Sequence, residues 1–437
     1  MLEAERFYEA AHNGGHIDPD LFSRYANSFE NVVLWGGGYL GTEIGKKFLD
    51  LKLPISAYWD MRAAELEKVN GIDVIEPFQG GFDKERTLVV FCITNSFVRD
   101  RVRSQLSASG FQNVLTGEFI YQGLICPMEE FDAFKKCRDS LACDAYTCLR
   151  NDKFFEQHLL RLGNTAELLF RNVTIVINQK CTLSCKHCYA YTNSYPSEKR
   201  VNFPVEQIKK DIDMFFDAVD GVKFIPLIGG ETFLHPNVSE IVKKILEKRN
   251  FGVLNVTTNG VCKMSPRQLE GLQDDRVQVV FSNYKDCLSS QQNDIFDRNV
   301  ELVKSSGARV ILLNSTPQWV VPTTLSNKYY SVEKMIRKRA ACATPLNCKY
   351  LKNGRFYPCT IADSINSIGV ADYQEDYVEL TDNVSSSDLR RQIQALVNLS
   401  YYKSCGHCDG TCGHVGLASK AGEQGYGEYV HLEEAYA

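Results

Sequence analysis

The sequence predicts an α/β protein: an N-terminal parallel sheet, a central partial (β/α)6 barrel and a small C-terminal domain of different character. Short apolar runs alternate with amphipathic stretches over residues 31–125 and again over 171–340, the mark of parallel strands joined by helices. From 341 onward the alternation stops, and five cysteines from Cys348 onward and several glycines take its place. The expected parts are therefore 1–125, a helical connector at 126–170, 171–340 and 341–437.

In the first part, Asn31–Trp35 reads as a buried strand, with a glycine turn and a helix running to Leu51. Ile55–Trp59, Leu88–Cys92 and Asn113–Leu115 read as further strands, with a helix near Ser96–Ser109. In the third part the candidate strands are Val173–Ile177, Val222–Ile228, Gly252–Thr257, Val277–Ser282 and Arg309–Leu313, with a weaker sixth at Gln318–Val321. Val205, Ile208, Ile212, Phe215, Phe216 and Val219 share one face of a helix over Pro204–Asp220.

The 437 residues are enough for two or three domains, and the 44% hydrophobic and 24% charged fractions are those of a globular protein. The net charge is −5 and no basic run would track a phosphate backbone, so nucleic acid is not expected as a partner. No apolar stretch would span a bilayer, and the three Glu of Met1–Ala10 do not suit a secretory signal, so a cytoplasmic protein is expected. Sixteen cysteines in a reducing compartment then mean buried thiols or metal ligands. Cys92, Cys262 and Cys287 read as packing residues, as do Cys126, Cys137, Cys143 and Cys148 in the connector.

Cys181-Thr182-Leu183-Ser184-Cys185-Lys186-His187-Cys188 is different. This CxxxCxxC array follows a strand on a loop where three thiolates can converge. Three cysteines so spaced suit one cubane and leave its fourth iron open for a cofactor. Zinc would want a fourth nearby ligand, and His187 sits next to a corner that Cys188 already fills.

These residues resemble the radical S-adenosylmethionine (SAM) superfamily. Asn178 through Tyr189 is similar to its cluster loop, and Gly229-Gly230-Glu231 at the next strand end is similar to its GGE motif. The resemblance implies that Cys181, Cys185 and Cys188 bind a [4Fe–4S] cluster. It implies that Gly229, Gly230 and Glu231 hold the methionine ammonium of SAM. Thr258, Ser282 and Asn283, at the next two strand ends, would approach the ribose and carboxylate, with Tyr189 beside the cofactor. The reaction implied is reductive cleavage of SAM to methionine and a 5′-deoxyadenosyl radical, which takes a hydrogen from the substrate. A reductant such as flavodoxin or ferredoxin would supply the electron.

Near the C-terminus, Asn353-Gly354 signals a hairpin that brings Cys348 and Cys359 face to face, and Cys405-Gly406-His407-Cys408 is a CxxC. Four thiolates suffice for an iron–sulfur cluster or a zinc site. Beside a radical SAM barrel this resembles a SPASM or twitch extension with an auxiliary cluster, on Cys348, Cys359, Cys405 and Cys408. Cys342 and Cys412 are alternative ligands.

Gly36-x-Gly38-x-x-Gly41 follows a strand and opens a helix, with Asp60 at the end of the second strand. That is the setting of a Rossmann-like dinucleotide fingerprint, and a nucleotide is expected there. The leading reading is a radical SAM enzyme acting on a small or nucleotide-linked substrate such as a sugar. Peptide maturation with the same chemistry and a non-enzymatic zinc-binding nucleotide sensor are the alternatives.

Overall fold

A computed structural model describes residues 2–13, 15–93, 102, 105–106, 108–127, 148–314, 318–320, 323–342, 348–409 and 418–425. The chain divides into two compact units, Met1–His158 and Leu159–Ala437.

The first unit holds β1 (Asn31–Trp35), β2 (Ala57–Trp59), β3 (Lys68–Val69), β4 (Ile72–Ile75), β5 (Thr87–Phe91) and β6 (Val114–Thr116) in the order β3-β4-β2-β1-β5-β6. All neighbours are parallel except β3 and β4. Alternate residues of β1 and β5 feed two apolar layers: Val32, Leu34, Leu88 and Val90 on one face, Val33, Trp35, Val89 and Phe91 on the other. Burial on both faces explains why these strands read as unbroken apolar runs. The β3–β4 hairpin, turned at Asn70-Gly71, and the helices Leu2–His12 and Pro19–Ala26 were not expected. The second helix had a local signal, since Asp18 caps it and Pro19 opens it. Most of the expected helix at Ser96–Ser109, and Cys137 and Cys143, lie outside the described residues.

The second unit runs β7 (Leu169–Val176), β8 (Gly221–Ile228), β9 (Phe251–Thr258), β10 (Val277–Asn283) and β11 (Val310–Asn314) side by side and parallel. The sixth candidate strand forms as β12 (Gln318–Val320), but it pairs antiparallel with β16 (Ala418–Lys420). Among the described residues the strands that follow one another along the chain and pair parallel are thus the five from β7 to β11. On its other edge, β13 (Lys349–Lys352) pairs parallel with β7, and β14 (Arg355–Tyr357) and β15 (Val378–Glu379) continue the sheet antiparallel. The cysteine hairpin is therefore continuous with the barrel sheet, and one apolar core runs from Leu168 to Tyr402.

The helix Val205–Ala218 buries Ile208, Ile212, Phe215 and Phe216 as its periodicity predicts. It also buries Asp211, which accepts the Gly354 N–H at 2.7 Å and so pins the hairpin turn. Asn353 and Gly354 both have positive φ, as that tight turn requires.

Asp220, at the entry to β8, accepts the Leu168 N–H at 2.7 Å, the Thr165 hydroxyl at 3.0 Å and the Arg390 guanidinium at 2.8 Å. Burial pushes its carboxyl up, but these donors outweigh burial and hold it at about 2. The depressed value means a contribution to stability that is present above the ordinary 3.8 and lost as pH falls through about 2. Asp220→Ala is expected to cost about 2 kcal/mol in urea unfolding at pH 7, with the gap from the parent closing as pH falls toward 2. A gap that does not change with pH refutes the assignment.

Candidate cluster-binding site

The cysteine loop leaves the C-terminal end of β7 and is stitched to the end of β8 by main-chain bonds. The Glu231 N–H donates to the Lys180 carbonyl at 2.6 Å, and the Gly230 N–H donates to Asn178 Oδ1 at 3.0 Å. Asn178 Nδ2 returns a bond to the Glu231 carbonyl at 2.9 Å. The backbones approach so closely that a Cβ on Gly229 would lie 1.9 Å from Asn178 Oδ1, and one on Gly230 would lie 2.3 Å from the Lys180 carbonyl. Both glycines are required by contact, independently of any ligand.

Glu231 is 1% exposed. Its Oε1 accepts from the Thr258 hydroxyl at 2.7 Å and the Phe233 N–H at 3.0 Å, and its Oε2 accepts from the Asn259 N–H at 2.8 Å. The Cys262 thiol also donates to it. Burial still pushes the carboxyl up, against the pull of those donors. Glu231 thus clamps the ends of β8 and β9 together. Thr258 is spent in the clamp, accepting the Gly260 N–H as well. Cys262, expected only to pack, belongs to it too.

Each of the three thiols has a donor group within reach of its sulfur. Cys181 Sγ accepts the Leu183 N–H at 3.4 Å and the Asn259 amide at 3.5 Å. Cys185 Sγ accepts the Gln424 amide at 3.5 Å, and Cys188 Sγ lies 3.7 Å from the Thr192 hydroxyl. Burial pushes the Cys181 thiol up to about 12 and Cys185 to about 11, with the neighbouring thiols adding to both. Among the described residues no three His, Cys, Asp or Glu side chains close to single-ion spacing. A cubane spreads its thiolates further apart than one ion does. The donor set of three neighbouring sulfurs, with N–H groups bonded to two of them and a hydroxyl beside the third, therefore fits an iron–sulfur cluster.

At the end of β10, Ser282 is hydrogen-bonded to Tyr284, and Asn283 Oδ1 accepts the Lys285 N–H. Burial pushes the Tyr284 phenol up, and all three cysteines add to the shift, which puts this residue beside the cysteine loop. Tyr189 is 39% exposed at the far end of the loop. Sequence reasoning missed Asn178, Asn259, Tyr284 and Gln424. Asn259 directly follows Thr258 at the end of β9, a strand end the sequence had marked, whereas Gln424, 239 residues from Cys185, left no local signal.

In the second cysteine group, the β13–β14 register pairs Tyr350 with Tyr357 and, carried outward, sets Cys348 opposite Cys359. Burial pushes Cys359 up, and Cys405 and Cys408 push it the same way; Lys349 and Tyr350 feel both Cys348 and Cys359. These four thiols share one region, and Cys359 Sγ accepts the Ala362 N–H at 3.5 Å. Cys412 lies outside the described residues, and no described cysteine is in a disulfide. The Lys352 ammonium, 2.8 Å from Asp363 and 2.7 Å from Tyr195, ties this group to the segment after the first cysteine loop.

The N-terminal glycine loop does not support the expected nucleotide. Gly36 (φ 120°) lies against the Cys92 carbonyl, where a Cβ would come to 2.9 Å, and a Cβ on Gly41 would meet the Gly36 carbonyl at 1.8 Å. These glycines serve the turn and the helix packing, while Gly38 faces open space at the start of the helix Tyr39–Asp50. Asp60 accepts the Gly37 N–H at 2.8 Å and chelates Arg62 at 3.1 Å through both oxygens. Burial raises its carboxyl, but Arg62 and these donors hold it below the usual range. The residue expected to meet a ribose is thus a brace of the loop itself.

A three-cysteine loop at the first strand end and a Gly-Gly-Glu clamp at the second thus meet at one end of a parallel α/β sheet. Residues 175–283 match the Radical SAM superfamily model, and the chain carries a radical SAM domain of that superfamily. It is 33% identical over 125 residues to the antilisterial bacteriocin subtilosin biosynthesis protein AlbA of Bacillus subtilis (strain 168), covering 29% of this chain and 26% of that protein. The match thus spans about a quarter of that relative's length. Similar solved structures include BtrN with AdoMet and 2-DOIA, at 15% identity, 55% of this chain, 94% of that one and a TM-score of 0.34. Streptococcus suis SuiB bound to S-adenosylmethionine is another, at 17% identity, 41% of this chain, 39% of that one and a TM-score of 0.26. No helix among the described residues is long and apolar enough to cross a membrane.

Gly230→Ala drives a methyl into the Lys180 carbonyl, so the loop must move away from β8. The variant is expected to keep the far-UV circular dichroism of the parent and lose most of its iron on anaerobic reconstitution. Full iron content in that variant counts against the close approach as the constraint on the loop.

Proposed function

We propose that this chain is a radical SAM enzyme that cleaves SAM reductively at the Cys181, Cys185 and Cys188 loop and removes a hydrogen atom from its substrate. The observation that carries the reading is the set of three neighbouring thiols, with N–H donors on the Cys181 and Cys185 sulfurs and the Thr192 hydroxyl 3.7 Å from that of Cys188. A bound [4Fe–4S] cluster supplies the single electron that breaks the C5′–S bond of SAM. Cys181, Cys185 and Cys188 would hold it by three corners and leave the fourth to SAM. Gly229, Gly230, Thr258, Ser282, Asn283 and Tyr189 border the cofactor. Glu231, already filled by protein donors, serves by fixing the β8 and β9 ends that face SAM. Cys348, Cys359, Cys405 and Cys408 hold an auxiliary cluster, and a flavodoxin or ferredoxin delivers the electron.

For the substrate, a peptide is favoured over a nucleotide-linked sugar. The similarity to a bacteriocin biosynthesis protein supports the first, and Asp60, bound to Gly37 and Arg62, takes away the support for the second. A zinc-binding sensor is the competing non-enzymatic reading.

Anaerobically reconstituted protein is expected to hold about eight irons, four per cluster, and to release 5′-deoxyadenosine from SAM and dithionite. Replacing Cys181, Cys185 and Cys188 together by Ala should remove about half of that iron, on four per cluster, and reduce 5′-deoxyadenosine to background. Zinc without iron in the parent, or cleavage surviving the triple substitution, overturns the proposal.

A further inference from the structure

The C-terminal segment folds back onto the cysteine loop and completes it. Gln424 forms an isolated antiparallel bridge with Cys185, the Lys186 N–H donates to the Glu423 carbonyl at 2.8 Å, and the Gly425 N–H donates to the Ser184 carbonyl at 2.7 Å. The Glu423 carboxylate pairs with the Lys186 ammonium at 2.6 Å, and the Cys287 thiol donates to the Ala421 carbonyl at 3.3 Å. Gly422, at φ 74°, lies so close to Tyr284 that a Cβ would come to 2.6 Å of its ring. β16 anchors the segment through its pairing with β12.

Within this seat the Gln424 side chain does two separable things. Its Oε1 accepts the Ser184 N–H at 2.8 Å, which fixes the loop. Its Nε2 donates to the Gly422 carbonyl and, with its other hydrogen, to Cys185 Sγ at 3.5 Å. The donors on Cys181 and the hydroxyl beside Cys188 come from the loop itself or from the adjacent turn of β9. Cys185 takes its side-chain donor from the far end of the chain. An N–H bond to a ligating sulfur draws electron density from the metal and favours the reduced state, so it raises the reduction potential.

We propose that Gln424 is a positioning residue whose amide N–H, held against Cys185 by the C-terminal segment, raises the reduction potential of the cluster seated on this loop. This rests on the reading of the loop as a [4Fe–4S] site. The cluster must take an electron from a biological reductant before it can pass one to SAM. The reach of that electron transfer is therefore set partly by residues some 240 positions away in sequence.

The test is an anaerobic redox titration of the full-length reconstituted protein, followed by electron paramagnetic resonance on the signal that changes when SAM is added. Gln424→Glu keeps the acceptor for Ser184 and removes the donor, while Gln424→Leu removes both without adding charge. Each is expected to retain the parent's iron and to show about a tenfold lower ratio of reduced to oxidised cluster at a fixed applied potential, about 59 mV for a one-electron couple. Glu423→Ala, which leaves the amide in place, is expected not to lower it. An unchanged potential in both Gln424 variants overturns the proposal. So does loss of iron in both, which makes the residue a structural part of the loop. A parent protein that binds no iron overturns the proposed function itself and is told apart by the iron content before any titration.

Discussion

A carboxylate with four donors and almost no exposure permits one arrangement of its surroundings. Glu231 draws the Phe233 and Asn259 N–H groups, the Thr258 hydroxyl and the Cys262 thiol onto two oxygens. Moving any of these groups away would strand a buried charge, at a cost well above that of an ordinary lost hydrogen bond. The ends of β8 and β9 are fixed by this clamp. Asn259, whose backbone feeds it, then presents its amide to Cys181 Sγ and to the Thr182 hydroxyl. The carboxylate reaches the cysteine loop through one residue. On the other side Asn178 carries the same constraint from Gly230 and Glu231 back into the loop's first turn.

The clamp explains what could be read from the sequence and what could not. CxxxCxxC and Gly-Gly-Glu are local patterns whose spacing is dictated by chemistry, so they survive as linear signals. Their order along alternating strands pointed to the parallel sheet, since β7 to β10 are mostly apolar segments only briefly interrupted by polar residues such as Lys223, Asn255 and Gln278. Asn178, Asn259 and Gln424 are polar residues of common type at strand ends or in a tail. Their roles exist only once the strands pair and the chain returns. The pairing of β12 with β16 was hidden for the same reason: a three-residue strand says nothing about its partner. Glu231 itself was found by pattern and given a cofactor-facing role, and its geometry makes it an internal clamp first.

The N-terminal unit shows the opposite failure. The Gly36-x-Gly38-x-x-Gly41 turn was legible and lies where the strand order reverses between β1 and β5. What the pattern could not distinguish is a glycine kept for a ligand from one kept for close packing. Gly36 and Gly41 are accounted for by the Cys92 and Gly36 carbonyls they approach. Arg62, two residues after Asp60, lies outside the fingerprint, and it is the side chain that takes both oxygens of that carboxylate.

The two cysteine groups of the second unit are built alike and joined physically. In each, burial pushes a thiol up, to about 12 for Cys181 and about 11 for Cys405, so the unliganded sites favour neutral thiols. Metal ligation needs thiolates, and filling either site must release protons. The buried Lys352–Asp363 pair spans the gap between them, with Asp363 on the helix that Cys359 caps and Tyr195 just beyond the first loop. Breaking one member of such a pair leaves the other charge buried and alone. The hairpin that carries Cys348 and Cys359 is hydrogen-bonded to β7, the strand that delivers Cys181. Cys181 and the hairpin pair Cys348 and Cys359 therefore hang from adjoining strands, and a shift of β7 relative to β13 would disturb both groups.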